Sequence, residues 1–171
     1  KAVDQCSATR GALGWKYRAR GPDSDTDVTA WMLTTLRVAD EIGFAVDPSS
    51  YDAIEWIDKM TEPNFGVVGY DDPGGACFRP RELADRFPPE KSFAMTAAGI
   101  LCRMLTGEDP KTSEMVRKGA DLCVEVPPKW DPDGGSIDMY YWYWGSLATF
   151  QAGGTHWRKW NDAMAIAIAK Q

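Results

Sequence analysis

Asp25-Thr26-Asp27-Val28-Thr29-Ala30-Trp31-Met32, continuing through Leu36 and Ala39 to Gly43, is the stretch that decides the fold. Apolar side chains at 28, 31, 32, 36, 39 and 42 recur at the i, i+3, i+4 spacing of one helix face. Asp27 stands just before them as the expected N-cap, and Gly43 is the expected stop. Shifting the frame by 111 residues brings Asp27 onto Asp138, Trp31 onto Trp142, Leu36 onto Leu147 and Gly43 onto Gly154. The spacing therefore predicts an internal repeat, and a repeat sets the architecture of the whole chain.

Outward from this helix the pattern continues. Asp47-Pro48 predicts the start of a second helix with Tyr51, Ile54, Ile57 and Met60 on its apolar face, so the first two helices form an antiparallel hairpin. Before Asp25, Gly14-Trp15-Lys16-Tyr17 and Gly21-Pro22 read as a loop anchored by aromatic side chains, with only a weak helix signal ahead of Thr9. After Met60, residues 61–88 are loop-like, broken by Gly69-Tyr70-Asp71-Asp72-Pro73-Gly74-Gly75 and Pro88-Pro89, with a short helix expected near 80–86. A second hairpin follows. Its first helix carries Met95, Ala98, Leu101, Cys102 and Leu105 and stops at Gly107. Its second is capped by Asp109-Pro110, carries Val116, Gly119, Ala120 and Cys123, and ends at Pro127-Pro128. The third hairpin opens at Asp138, breaks at Gly153-Gly154 and resumes with Trp157, Trp160 and Met164. The expected fold is all-α: an arc of about three helical hairpins joined by long glycine- and aromatic-rich loops, with residues 1–171 as one repeat domain.

With 171 residues, 44% of them hydrophobic, the chain is long and apolar enough for a real core. No apolar run approaches the roughly 20 residues that span a bilayer. The net charge of −6, with basic residues scattered, excludes nucleic acid as an expected partner. Cys6, Cys77, Cys102 and Cys123 lack the Cys-x-x-Cys spacing of metal sites. On adjacent antiparallel helices Cys102 and Cys123 would lie roughly 12 Å apart along the axis, beyond the about 7 Å between Cα atoms that a disulfide allows. A Cys6–Cys77 pair is left open.

Asp25-x-Asp27-x-Thr29-Ala30 opening the first long helix, with Asp138 to Trp144 followed by Gly153-Gly154-Thr155-His156-Trp157, resembles the prenyltransferase and squalene-oxidase repeat group of the terpenoid-cyclase α/α toroids, in particular bacterial repeat proteins of unknown function. The resemblance covers nearly the whole chain and implies fold far more than activity. A complete toroid of that family has about six hairpins. Three imply a piece of a larger toroid or longer protein, an open arc, or assembly with another chain.

The resemblance also implies candidate chemistry. Class II cyclases of the group use an Asp-x-Asp-Asp-Thr-Ala acid motif, from which this chain departs at Val28. By resemblance Asp27 would be the proton donor and Asp25 its neighbouring carboxylate. The plain alternative is that Asp27 caps a helix. Zinc prenyltransferases of the same superfamily use an Asp-x-Cys pair and a distant His, residue types that Asp121, Cys123 and His156 supply, but Asp121 falls on the second helix of its hairpin instead of the first. No metal or cofactor is expected.

The run Tyr140-Tyr141-Trp142-Tyr143-Trp144 cannot place all its rings on one helix face, so some must line a concave side or a loop. Trp31, Tyr140, Tyr141 and Trp144 are the candidate ligand-binding residues, for a small apolar compound, a sugar ring or a protein partner. The terminal stripe Trp157, Trp160, Met164 reads as too apolar for a free end, which predicts self-association or flanking repeats. The expected function is a helical module that binds on an aromatic face. The alternative is a cyclase-like or carbohydrate-active enzyme with Asp27 as its acid.

Overall fold

The computed structural model describes residues 1–18, 23–77, 79–87 and 91–170, so the expected breakers Gly21-Pro22 and Pro88-Pro89 lie outside the described residues. In chain order the helices are α1 (Ala2–Ala8), α2 (Thr26–Glu41), a 3-10 turn (Pro48–Ala53) running into α3 (Ile54–Met60), α4 (Arg81–Ala84), α5 (Ala94–Leu105), α6 (Glu114–Glu125), α7 (Met139–Ala152) and α8 (Gly154–Ile168). Among the described residues the only β-type pairing is an isolated antiparallel bridge between Thr61 and Val68. The chain is all-α, and among its described helices none is long and apolar enough to cross a membrane.

The helix starts correct the sequence reading by two residues. Asp25, in extended backbone, is the N-cap of α2 and its carboxylate accepts the Val28 N–H at 2.8 Å. Asp27 lies inside the first turn and is not the cap. Asp138 caps α7 the same way, accepting the Tyr141 N–H at 3.2 Å. The two capped starts thus correspond at a shift of 113 residues, which brings Trp31 onto Trp144. Ser113 caps α6, where Asp109 was expected; Asp109 instead shapes the preceding turn by accepting the Lys111 N–H. Asp47 caps its helix as expected, but the first six residues wind as 3-10.

Helix α5 is the hub. Every residue from Ala94 to Met104 is buried, so the expected one-sided stripe is in fact a helix enclosed all round. It packs against α2 on one side and α7 on another, with α3 and α6 also against it. Helix α6 further contacts α7 and α8, and α8 pairs with α7. The starts of α2, α5 and α7 share one pole: Tyr140 in the first turn of α7 bonds Asp27 in the first turn of α2, and Ser92 ahead of α5 bonds Asp138.

The tight α7–α8 connection needs Gly153 and Gly154, whose φ angles of 69° and 56° are left-handed. Close packing of that pair needs Gly145, because a Cβ there would meet the Trp160 ring at 2.2 Å. Trp160 is fully buried, with its indole N–H on the Ser146 hydroxyl at 2.9 Å. The stripe of Trp157, Trp160 and Met164, expected to be uncovered, faces inward and packs on the core. Arg158, Lys159, Asn161 and Asp162 are exposed on the same helix, and so are Ile166 and Ile168. All four cysteines are unbridged thiols, Cys6 and Cys77 included.

Candidate functional site

Two loops fold onto the start of α2 and build the pole. Trp15 is buried, its backbone N–H bonds Thr29 Oγ1 at 3.0 Å and its carbonyl takes the Asp25 N–H at 2.9 Å. From the other loop, the Tyr70 carbonyl accepts the Thr26 N–H at 2.9 Å and the Gly69 carbonyl accepts the Thr26 hydroxyl at 2.6 Å. The Trp56 indole N–H closes this knot on Thr26 Oγ1 at 3.2 Å. Asp25 is consequently sealed in, 0% exposed. Its Oδ2 makes no hydrogen bond of regular geometry, the Tyr70 hydroxyl being its polar neighbour. Burial raises the Asp25 pKa above the usual carboxyl range, against the opposing pull of the Val28 N–H and Tyr70, and Asp27 adds to the rise.

Asp27 is half-buried and joins α2 to α7: its Oδ1 accepts the Tyr140 hydroxyl at 2.5 Å, and Tyr17 makes a longer contact of 3.5 Å to Oδ2. Burial, then the bond to Asp27, pushes the Tyr140 pKa up. Tyr17 rises chiefly through the Asp27 charge, and Tyr70 chiefly through burial. Arg79 pairs with Asp138, donates to Ser92 at 3.2 Å and stacks its guanidinium on Tyr140 at 5.7 Å, tying the loop to the starts of α5 and α7. Burial pushes the Cys77 thiol up to about 11, so it is not a ready nucleophile. A cavity of about 250 Å³ lies beside it, lined by Gly74, Gly75, Cys77, Ser92, Met95 and Thr96 among others, with neither Asp25 nor Asp27 in its wall.

The candidate ligand-binding rings divide. Tyr141 and Trp144 are core residues: the Tyr141 hydroxyl donates to the carbonyls of Cys123 and Val126, each at 3.0 Å, and Trp144 is fully enclosed. Tyr140 is half-buried by its tie to Asp27. Trp31 is 41% exposed and lies on Tyr143, itself 43% exposed, with ring centroids 5.2 Å apart and planes at 23°. Trp144 supports the pair from beneath, 4.7 Å from Trp31. The open surface is therefore made by Trp31 and Tyr143, beside Asp27.

Tyr143 was within the aromatic run but not singled out by it, and Tyr17, Tyr70 and Arg79 reach the pole from loops that no periodicity describes. Their only sequence signal is an aromatic or basic residue beside Gly-rich turns.

Asp121 and His156 meet at 2.8 Å, but Cys123 points away into the core, fully buried. Among the described residues no group of three or more His, Cys, Asp or Glu is placed to hold a metal ion. Comparisons of the chain with protein families, curated proteins and solved structures find no match.

Proposed function

We propose that the chain is a helical module that binds a ring-bearing ligand, a sugar or a small apolar ring compound, on the Trp31–Tyr143 surface of α2 and α7, and that its hairpins form an arc of the α/α-toroid type. The carrying observation is the exposed stacked pair itself. Two aromatic side chains of this size left about 40% exposed keep on the order of 150 Å² of apolar surface in water, worth about 4 kcal/mol if covered. That alone supports about millimolar affinity, and hydrogen bonds to Asp27 and Tyr140 would add to it. Trp144 packs against both rings, 4.7 Å from Trp31 and 5.3 Å from Tyr143, which lowers the ordering cost of binding.

Calorimetric titration with a panel of soluble oligosaccharides and small ring compounds tests the reading. Saturable binding of at least one, weakened about tenfold or more by Trp31→Ala, supports it. Binding equal in wild type and Trp31→Ala, or no binding to about 10 mM, sinks it.

A raised carboxyl pKa at Asp25, two residues from Asp27, favours a second reading, acid catalysis on a polyprenyl substrate. It is the weaker one because Asp25 is enclosed and committed to capping, while Asp27 is spanned by Tyr140. Turnover of a polyprenyl substrate by the wild type, abolished in a folded Asp27→Asn variant, would replace the first reading with the second.

A further inference from the structure

We propose that the opposite pole, where the C-terminal ends of α2, α5 and α7 meet, docks a basic amphipathic segment of a partner protein. A recess of about 500 Å³ opens there, lined by Val38 of α2 and Ile42 just past its end, Tyr51 of the 3-10 turn, Met104 and Leu105 of α5, and Gln151 of α7 among others. Its apolar rim is uncovered: Val38 is 56% and Ile42 69% exposed. Isolated exposed apolar side chains need no explanation, but two a helical turn apart in the wall of one recess mark an interaction surface.

Charge selects the occupant. Helix C-termini present unsatisfied carbonyls and the negative end of the helix dipole, which basic residues in the last turn normally offset. Here α2 ends in Asp40 and Glu41, and neither α2 nor α7 has a basic residue in its last turn. Arg37, one turn back, is shared between Asp40 and Glu41. Arg103 of α5 is enclosed and shared between Asp58 and Glu108. Each nearby guanidinium is thus divided between two carboxylates, which leaves negative charge over an apolar recess. A ligand with lysines or arginines flanking an apolar face answers both features. An anionic membrane does not, since the chain carries a net charge of −6, and a small cation would leave the apolar rim in water.

The probe is a fluorescent Leu/Lys amphipathic peptide of about four helical turns, compared with a Leu/Glu peptide of the same apolar pattern and with phosphatidylglycerol vesicles. Anisotropy should show saturable binding of the Leu/Lys peptide, weakening severalfold as salt is raised from about 50 to 500 mM. The Leu/Glu peptide should bind about tenfold more weakly or not at all. Val38→Ser and Ile42→Ser, both at exposed positions in the recess wall, should each lower the affinity while the thermal melt is retained. The double change Asp40→Asn, Glu41→Gln should remove most of the salt dependence. Equal affinity for both peptides, no binding of the Leu/Lys peptide, unchanged affinity in both serine variants, or a preference for the vesicles would overturn the proposal.

Discussion

Asp25 shows how one carboxylate is set by its position at a helix start. Its Oδ1 caps α2 and its Oδ2 is enclosed, so burial holds the proton on the carboxyl to higher pH than in the unfolded chain, where the value is 3.8. As pH rises the unfolded chain releases that proton first. The group's contribution to stability is therefore full below about pH 4 and is lost as pH climbs through the raised folded value. Asp25→Asn keeps the cap, since Asn serves there about as well as Asp, and removes the ionisation. The expected outcome in denaturant melts from pH 3.5 to 8 is a flatter stability profile, with the variant at least as stable as wild type at pH 7. A variant less stable at pH 7, with the wild-type slope intact, would show that the buried carboxyl is held ionised. Asp25→Ala should cost about 1 kcal/mol from the lost cap. At Asp27 the same substitutions test something different, because its partners are Tyr140 and Tyr17 on other segments.

At the scale of elements, the close approach of α7 and α8 rests on one absent methyl group. Trp160 is wedged over Gly145, and its rigid indole, fully buried and bonded to Ser146, has no room to yield. Gly145→Ala should cost about 1–3 kcal/mol by overpacking, lowering the melting temperature about 2–4 °C per kcal/mol. Trp160→Phe in the same background should recover part of the loss, a coupling that a double-mutant cycle measures. Additive effects would mean that α8 shifts bodily to admit the methyl group.

Across the whole molecule, the enclosure of α5 ranks the thiols. Cys102 and Cys123 are fully buried, and burial pushes both up to about 12. Cys6 and Cys77 are half-buried, with Cys77 pushed up to about 11. Thiol labelling at pH 8 followed by mass spectrometry should modify Cys6 first, then Cys77, and the other two only at the rate of unfolding. Native-state labelling of Cys102 at the rate of Cys6 would mean that the central helix opens locally.

The all-α class, the stops at Gly43, Gly107 and Gly153, and the loop docked by Trp15 were determined by the sequence alone. Their causes are local: apolar spacing, caps and residues that cannot continue a helix. The two-residue displacement of the α2 cap shows the limit of local reasoning, since Asp25 and Asp27 are equally good caps, and the choice lies with Tyr70, Gly69 and Trp15 docking on Asp25 and Thr26. Which rings of Tyr140 to Trp144 stay open was likewise decided only in three dimensions. A helix points them all around its axis, and the packing of α5, α6 and α8 against α7 removes Tyr141, Trp142 and Trp144 from solvent while leaving Tyr143 to meet Trp31. The pole that gathers Asp25, Asp27, Tyr70, Cys77, Arg79 and Tyr140 is a product of tertiary structure for the same reason: its members come from two helices and an intervening loop, and only side-by-side packing of helices that start at one end brings them together.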